Sequence, residues 1–377
     1  MLRALFWSSA GLLAWTQAGY PLALAAARRL GAPPWSPPAP GRPLGDRPRV
    51  SLIVAAYREE AVIAAKVANA RALDWPRDAL EVIVAVDGTG DATADRARAA
   101  GADVVLELPR GGKVPAQDAA VAVSSGELLA FSDANALWAP DALERLAAAF
   151  ADPAVGYACG QVRFVGAGGT NQEGLYWRYE LWVREQESAL ASVTGGNGAI
   201  YAVRPDAYAH VDDRVSHDLS LPFTLVKRGW RAVYVPGARA AEKMVPSIEG
   251  EWRRKRRMMA HAWPVVLRGG LLDPRGYPPR YTLMVLSHRA LRYASPFLHL
   301  AALAGSAALA RRGGVYAAAA AVQAAVLAAA AAADRAPARP LLVARYYVAT
   351  TAALAAGLYD HLRHGTPAGW EPAEGTR

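Results

Sequence analysis

Three aspartates stand at turning points of the chain: Asp87 closes the apolar run VIVAVD, Asp133 follows LLAFS, and Asp218 opens a helical stretch in SHDLSL. A carboxylate at the carboxyl end of a strand can accept a hydrogen bond from a ring N–H or ligate a hard divalent cation. One at the mouth of a cleft can take a proton from an attacking hydroxyl. Between them lies Arg110-Gly111-Gly112-Lys113, whose glycines let the backbone approach a ligand while Lys113 meets a phosphate. Asn135, two residues after Asp133, adds a neutral oxygen, and Thr194-Gly-Gly-Asn-Gly198 forms a turn of small residues. Taken singly, each has a structural alternative: a turn for Asp133-Ala-Asn135, a hairpin for the glycine segment, a helix cap for Asp218. Their order along the chain favours the chemical reading.

The elements that must position them begin near Arg49. Short β-type runs (SLIVAAY, EVIVAVD, VVLEL, LLAFSDA) alternate with helical stretches (EEAVIAAKVANARAL, ATADRARAAG, VPAQDAAVAVS, PDALERLAAAF). This alternation predicts an α/β doubly wound sheet, with ligands beyond the carboxyl ends of the strands. After Gln161 the pattern breaks into Gly-rich and aromatic segments, read as an irregular insertion from Gly166 to Ser192 that shapes a binding pocket. Tyr176, Trp177, Tyr179 and Trp182 within it lie at helical spacing, which favours packing over stacking on a ligand. Alternation resumes weakly through WRAVYVP and ends in a basic helix, Glu249 to His261.

In this order the segments resemble a family 2 inverting glycosyltransferase of the GT-A fold, specifically its membrane-anchored bacterial members, and the resemblance covers the chain almost end to end. It implies that Tyr57 and Glu59 of VSLIVAAYREE meet the nucleoside and that Asp87 accepts a hydrogen bond from the base. Lys113 would meet the donor diphosphate. Asp133 and Asn135 stand in the family's Asp-x-Asp position, which implies Mg²⁺ or Mn²⁺. Gly196 and Asn197 fall in the acceptor-side turn, Asp218 in the place of the general base, and Arg257 in that of the arginine of Gln-x-x-Arg-Trp, on the diphosphate. The departures are Arg58 and Asp118 for Asn, Val86, Asn135 and His217 for acids, and Arg254 and Met258 for the Gln and Trp of the last motif. His217 has two readings, a group that tunes Asp218 and a surface histidine, of which the second is favoured. The implied partners are a UDP- or GDP-sugar donor and a lipid-linked or glycan acceptor. Loss of the tryptophan favours single transfer over a processive exopolysaccharide synthase, and the three lost acids leave an inactive GT-A-fold membrane scaffold as the reading of another class.

Composition places this chemistry at a membrane. Of the 377 residues 53% are apolar, and the excess gathers at the two ends. The uncharged run Ala4 to Ala27 is long enough to cross a hydrocarbon core, with a cleaved signal peptide as its alternative. Arg28 and Arg29 place the following domain in the cytoplasm. The single Cys159 makes no intrachain disulfide. The net charge of +9 comes with no nucleic-acid-binding motif and is ascribed to anionic lipid headgroups, as is one reading of the run Arg253 to Arg257. Expected boundaries are an anchor at 1–30, a Pro/Gly-rich linker at 31–48, the GT-A domain at 49–270, an interfacial segment at 271–292, two or three transmembrane helices at 293–360 and a tail at 361–377. Together these predict a multi-pass protein of the inner (plasma) membrane with a cytoplasmic catalytic domain.

Overall fold

The computed structural model describes all residues except 39, 89, 166–171, 244–247, 334, 337 and 367–377. The beginning of the expected insertion, the side chain of Tyr176 and the end of the tail lie outside the described residues.

Eight strands form one mixed sheet: β1 (Val50–Ala56), β2 (Leu80–Asp87), β3 (Val104–Leu108), β4 (Leu128–Asp133), β5 (Leu137–Trp138), β6 (Val155–Val165), β7 (Ile200–Val203) and β8 (Arg231–Lys243). Their spatial order is β3-β2-β1-β4-β7-β6-β8-β5. The first four are parallel, with Val50 in register with both Leu80 and Leu128. Their near-continuous apolar runs fit this arrangement, because a parallel strand is covered on both faces. Val54, Val84 and Val86 pack under α3 (Ile63–Arg71) and α4 (Thr93–Ala99). On the opposite face Ile53, Ile83 and Phe131 pack with α5 (Lys113–Val123). Leu52, Val82 and Leu128 belong to a third cluster with α6 (Ala142–Ala148). Val86 is thus a core residue, 2% exposed, and a carboxylate there would lie among valines and alanines.

The α/β class and doubly wound order match the expectation, while the second half of the sheet was not legible. β7 pairs antiparallel with β4 and β6, and β6 pairs parallel with β8. The supposed irregular insertion is largely a helix, α7 (Gln172–Leu190). It buries Glu180, Arg184 and Glu187 alongside Leu181, Val183 and Leu190, so its buried side mixes charged with apolar residues and blurs the stripe by which a packed helix is recognised. The packing expected of its aromatics holds for Trp177, which donates to the Val162 carbonyl, and for Tyr179, which donates to that of Gln17, but not for Trp182, which is 37% exposed.

Around this domain stand helices from the two ends of the chain. α1 (Leu2–Ala14) and α2 (Tyr20–Arg29) run together through a π turn, Trp15–Gly19. α8 (His217–Lys227) and α9 (Ile248–Leu267) close the catalytic domain. α10 (Pro279–Met284) continues through a π turn into α11 (Leu291–Leu309), followed by α12 (Gly314–Ala332) and α13 (Arg339–His364). The segment expected to lie at the interface is therefore, from Pro279 on, the start of a membrane-length helix. Three helical stretches among the described residues are long and apolar enough to cross a membrane: Pro279–Arg312, Gly314–Ala332 and Arg339–His364. The N-terminal helix is not among them, because Ser8, Ser9, Thr16 and Gln17 interrupt its apolar run. Two of its side chains bind the C-terminal helices instead: Trp15 donates to Ser287 Oγ at 2.9 Å and Thr16 to the Ser287 carbonyl at 2.8 Å.

Candidate active site

β1, β2 and β4 end side by side, and their carboxyl ends open into one cleft lined by Tyr57, Glu59, Asp87, Arg110, Lys113 and Asp133. Five of these six are residues singled out in the sequence. Asp87 is 3% exposed and holds the following loop. It accepts from the Gly111 N–H at 2.6 Å and the Gly112 N–H at 3.0 Å, and pairs with the Arg110 guanidinium. Gly112 adopts φ +109°, a conformation suited to glycine that turns the chain into α5. Arg110 lies 3.4 Å over the Tyr57 ring, so the loop from β3 and the loop from β1 close on each other across the cleft. Sequence reasoning noticed Arg110 in its motif but gave it no role.

At the other side of the cleft Lys113 pairs with Asp133. Burial works to lower the lysine's pKa, but Asp133 and Asp218 outweigh it and hold the ammonium above its ordinary value. Lys66, which the sequence did not flag, supports the Asp133–Asn135 turn from beneath. It is fully buried, donates to the Ala136 carbonyl at 2.8 Å, and burial pulls it down to about 7.

Asp133 and the half-buried Asn135 offer hard oxygen atoms suited to a divalent cation. Among the described residues no group of three His, Cys, Asp or Glu side chains gathers here or elsewhere. The protein oxygens therefore fit an ion whose remaining ligands come from a diphosphate, and Asp133 already accepts the cationic Lys113.

The turn from Thr194 to Gly198 joins this cleft to Asp218. The Gly196 N–H donates to the Asp218 carbonyl at 2.6 Å. A methyl group on Gly196 would overlap Tyr157 Oη, whereas one on Gly198 would lie 3.6 Å from Lys113 Nζ and 3.7 Å from the Asp218 carboxyl carbon. Lys113, Asp133, Gly198 and Asp218 thus converge. Asn197 Oδ1 accepts from the Ala199 N–H, which shapes the turn itself. Asp218 is half-buried in the first turn of α8.

His217, expected at the surface, is 3% exposed. Its Nδ1 lies 2.9 Å from Tyr201 Oη and its Nε2 3.5 Å from Tyr208 Oη. Tyr208 in turn donates to Asp118 at 2.5 Å. Burial pushes the imidazole down to about 4, so it is neutral at pH 7 and anchors α8 against Phe131, Tyr201 and Tyr208.

Behind the turn lies a buried network that the sequence did not reveal. Glu187 accepts from Tyr20 Oη at 2.6 Å and from Thr194 Oγ1 at 3.0 Å, and it lies 2.8 Å from His288 Nδ1. Arg289 Nε donates to Thr194 Oγ1 at 2.9 Å. Burial would raise the Glu187 pKa, yet His288 and Arg289 outweigh it and hold the carboxyl below its ordinary value. Arg257 is not among the residues that line this cleft. Its neighbours on α9 are largely occupied elsewhere, Arg254 and Lys255 with Glu251 and Arg256 with Asp360 of α13.

Residues 51–210 match the model of glycosyl transferase family 2. The match runs from β1 through the acceptor-side turn and stops short of Asp218 and Arg257. Curated relatives include the beta-monoglucosyldiacylglycerol synthase of Trichormus variabilis, 28% identical over an alignment of 234 residues that covers 56% of this chain and 48% of that one. An N-acetylglucosaminyltransferase of Rhizobium meliloti is 28% identical over 243 residues, covering 58% and 56%. The chain spans about half the length of these curated relatives. Among solved structures, the mannosyltransferase of Pyrobaculum calidifontis in complex with GDP-Man and Mn²⁺ is 26% identical and superposes with a TM-score of 0.71, covering 96% of this chain and 99% of that one. The strand order, the cleft at the strand ends and these matches agree: the chain carries a glycosyltransferase family 2 domain of the GT-A fold.

Proposed function

We propose that this protein is a membrane-bound inverting glycosyltransferase that moves a sugar from a nucleotide diphosphate donor to a lipid-linked or polysaccharide acceptor at the cytoplasmic face. The observation that supports it most is the convergence of Lys113 and Asp133, at the diphosphate end of the cleft, with Asp218 across Gly198. In this reading Tyr57, Glu59 and Asp87 hold the nucleoside, and Arg110 and Lys113 face the diphosphate. Asp218 takes the proton of the acceptor hydroxyl while that oxygen bonds to the anomeric carbon. The bond from that carbon to the diphosphate breaks, and the electron pair leaves with the nucleoside diphosphate, so configuration inverts. Lys113 stabilises the charge that builds on the leaving group. Mg²⁺ or Mn²⁺ held by Asp133, Asn135 and the donor would supply further neutralisation of the diphosphate.

The three membrane-length helices support attachment to a bilayer, and Arg28 and Arg29 favour the cytoplasmic side. GDP-mannose is the first donor to test, because the Pyrobaculum mannosyltransferase was solved with it. Full-length protein in detergent, given GDP-mannose, UDP-glucose or UDP-N-acetylglucosamine with Mg²⁺ or Mn²⁺ and a membrane lipid extract, is expected to release nucleoside diphosphate from one donor. Asp218→Asn is expected to abolish that release. Release from no donor, together with absence of nucleotide binding, would favour the inactive scaffold.

A further inference from the structure

The helices from the two ends of the chain run antiparallel, with Phe6 against Gly305, and hydrogen bonds pin them at two levels nearer the catalytic domain. At one, Trp15 and Thr16 hold Ser287. At the other, Arg280 Nη1 donates to the Pro33 carbonyl and, at 3.0 Å, to that of Leu190 at the end of α7. Between these levels α2 and α10 leave a groove of about 210 Å³. Its walls offer hydrocarbon. The polar tips of Trp15 and Tyr20 are engaged with Ser287 and Glu187, neither of which lines it, and Ala23 and Ala27 are too small to fill it. Gly19 lets the Trp15 ring lie along the helix, since a methyl group there would meet the ring at 2.8 Å. An apolar space of this size takes up hydrocarbon rather than water, as an engineered one of about 150 Å³ stays dry and binds benzene.

The groove has two unlike ends. Trp15 and Leu283, 37% and 55% exposed, leave the far end open and apolar. At the end nearest the catalytic domain stands the half-buried Arg280, which uses only Nη1 on the two carbonyls and keeps Nε and Nη2 for another acceptor. Arg28 and Arg29, both exposed, close α2 at the same end. The rest of the lining carries no charge. Arg280 also opens the helical stretch Pro279–Arg312, so when that stretch spans a bilayer its first turn lies at the level of the headgroups. A cationic end joined to an apolar length matches an anionic amphiphile.

We infer that the groove holds one acyl chain of a bilayer phospholipid, with the anionic phosphodiester headgroup on Arg280 and in the field of Arg28 and Arg29. The occupant is a resident of the bilayer and not the sugar acceptor. No described residue lines both this groove and the donor cleft, and the hydrogen bonds from Tyr20 and from Thr194 to Glu187 stand between the groove and the acceptor-side turn. The site goes beyond the transferase reading and shares with it only attachment to a bilayer.

The test uses the full chain in detergent with dioleoylphosphatidylglycerol, dioleoylphosphatidylcholine and glycerol phosphate as probes, read by native mass spectrometry and thermal unfolding. Wild type is expected to retain phosphatidylglycerol in preference to phosphatidylcholine and to melt at a higher temperature with it. Glycerol phosphate, which has the anion without the chain, should give no such shift. Ala23→Trp fills the groove from an exposed lining position and should retain no lipid there; if it fails to fold, Leu283→Trp makes the same test from the facing helix. Arg280→Met is expected to lower phosphatidylglycerol affinity by about fivefold, the worth of one cation at an anionic headgroup, with Arg280→Lys restoring part of it. Equal retention of the two lipids by wild type, or undiminished retention of phosphatidylglycerol by a folded groove-filled variant, would identify lipid of the general annulus and overturn the proposal. So would an equal shift from glycerol phosphate, which would identify a free anion as the source. Conversion of the retained lipid to a glycosylated product on adding a nucleotide sugar would overturn it as well, by making the occupant the acceptor. Flotation with phosphatidylglycerol vesicles separates the two levels: a chain that does not float loses bilayer attachment altogether, whereas one that floats and binds GDP or UDP without retaining the lipid loses this site alone.

Discussion

The two halves of the cleft are held together in opposite ways. On the donor side the charged groups are bound by neighbours from the same α/β unit: Asp87 by the Arg110–Gly112 loop, Asp133 by Lys113, and the turn after Asp133 by Lys66. On the acceptor side the turn at Thr194 is bound by Glu187 and Arg289, and Glu187 in turn by Tyr20, 167 positions away in sequence, and His288, 101 positions away. The donor half can thus form as soon as the sheet does. The half assigned to the acceptor in the proposed reading is complete only when helices from both ends of the chain have docked, and that reading would tie acceptance of a sugar to their assembly.

The strongest way to break this comparison is at the point where the halves meet. Asp218→Asn keeps the shape of the side chain and removes the proposed base, so kcat is expected to fall by about 10²–10⁴. Nucleoside diphosphate affinity, measured by titration calorimetry, should not change, because Asp218 lies across the turn from the donor cleft. A parallel loss of affinity would show that the halves are not separable.

Next in size is Glu187→Ala. It removes the carboxylate that His288 and Arg289 hold ionised in a fully buried position and leaves them to share Glu180 with Arg292, a defect of about 3–5 kcal/mol. Thermal unfolding in detergent should show that loss. In material that stays folded at low temperature, the KM for acceptor should rise while GDP or UDP affinity holds. If nucleotide affinity fell in step, assembly of the terminal helices would be a requirement of the whole domain and not of its acceptor half.

The same division decides what could be read in the sequence. Asp87 and Asp133 were legible because each ends a run of apolar residues that can only be a covered strand, and a carboxylate in that position is conspicuous. Lys113 was legible because two glycines precede it. Glu187, Arg184 and Lys66 were not, since nothing local distinguishes a buried charge from a solvated one. α7 buries charged Glu180, Arg184 and Glu187 together with apolar Leu181, Val183 and Leu190, and that mixture hid both the helix and its network. His217 was misread for a related reason: what buries it is a cage of Phe131, Tyr201 and Tyr208 drawn from β4, β7 and the segment that follows. The Arg253–Arg257 run was the converse case, a conspicuous motif whose neighbouring cations turn out to fasten α9 to α13.

His217 gives the third effect, a pH dependence. Its pKa is about 4 in the folded protein and near the ordinary value of about 6.5 when unfolded. Between those values the unfolded chain binds the proton that the folded one refuses. Its contribution is therefore whole above about pH 6.5 and is lost as pH falls toward 4, amounting to about 3 kcal/mol. The groups that face it, Asp118, Lys113 and His210, act on it less than burial does. His217→Asn should flatten this part of the stability profile followed by thermal unfolding from pH 7 to 4, and an unchanged slope would mean that water reaches the imidazole.

The smallest effects should come from two glycines of one turn, and they sharpen the comparison most. Gly196→Ala drives a methyl group into Tyr157 Oη, which is itself packed in the core, so the turn must shift at about 1–3 kcal/mol in stability. Gly198→Ala places its methyl group at ordinary contact distance from Lys113 and Asp218, so stability should change by less than about 1 kcal/mol. That methyl group nonetheless occupies space between the Lys113 ammonium and the Asp218 carboxylate, which the proposed reading assigns to the leaving group and the acceptor. The expected signature is a raised KM for acceptor in a fully stable protein, with nucleoside diphosphate affinity unchanged. If Gly198→Ala were kinetically silent, the space between Lys113 and Asp218 would not be where the acceptor passes, and the path of the sugar would have to run on the other side of Asn197.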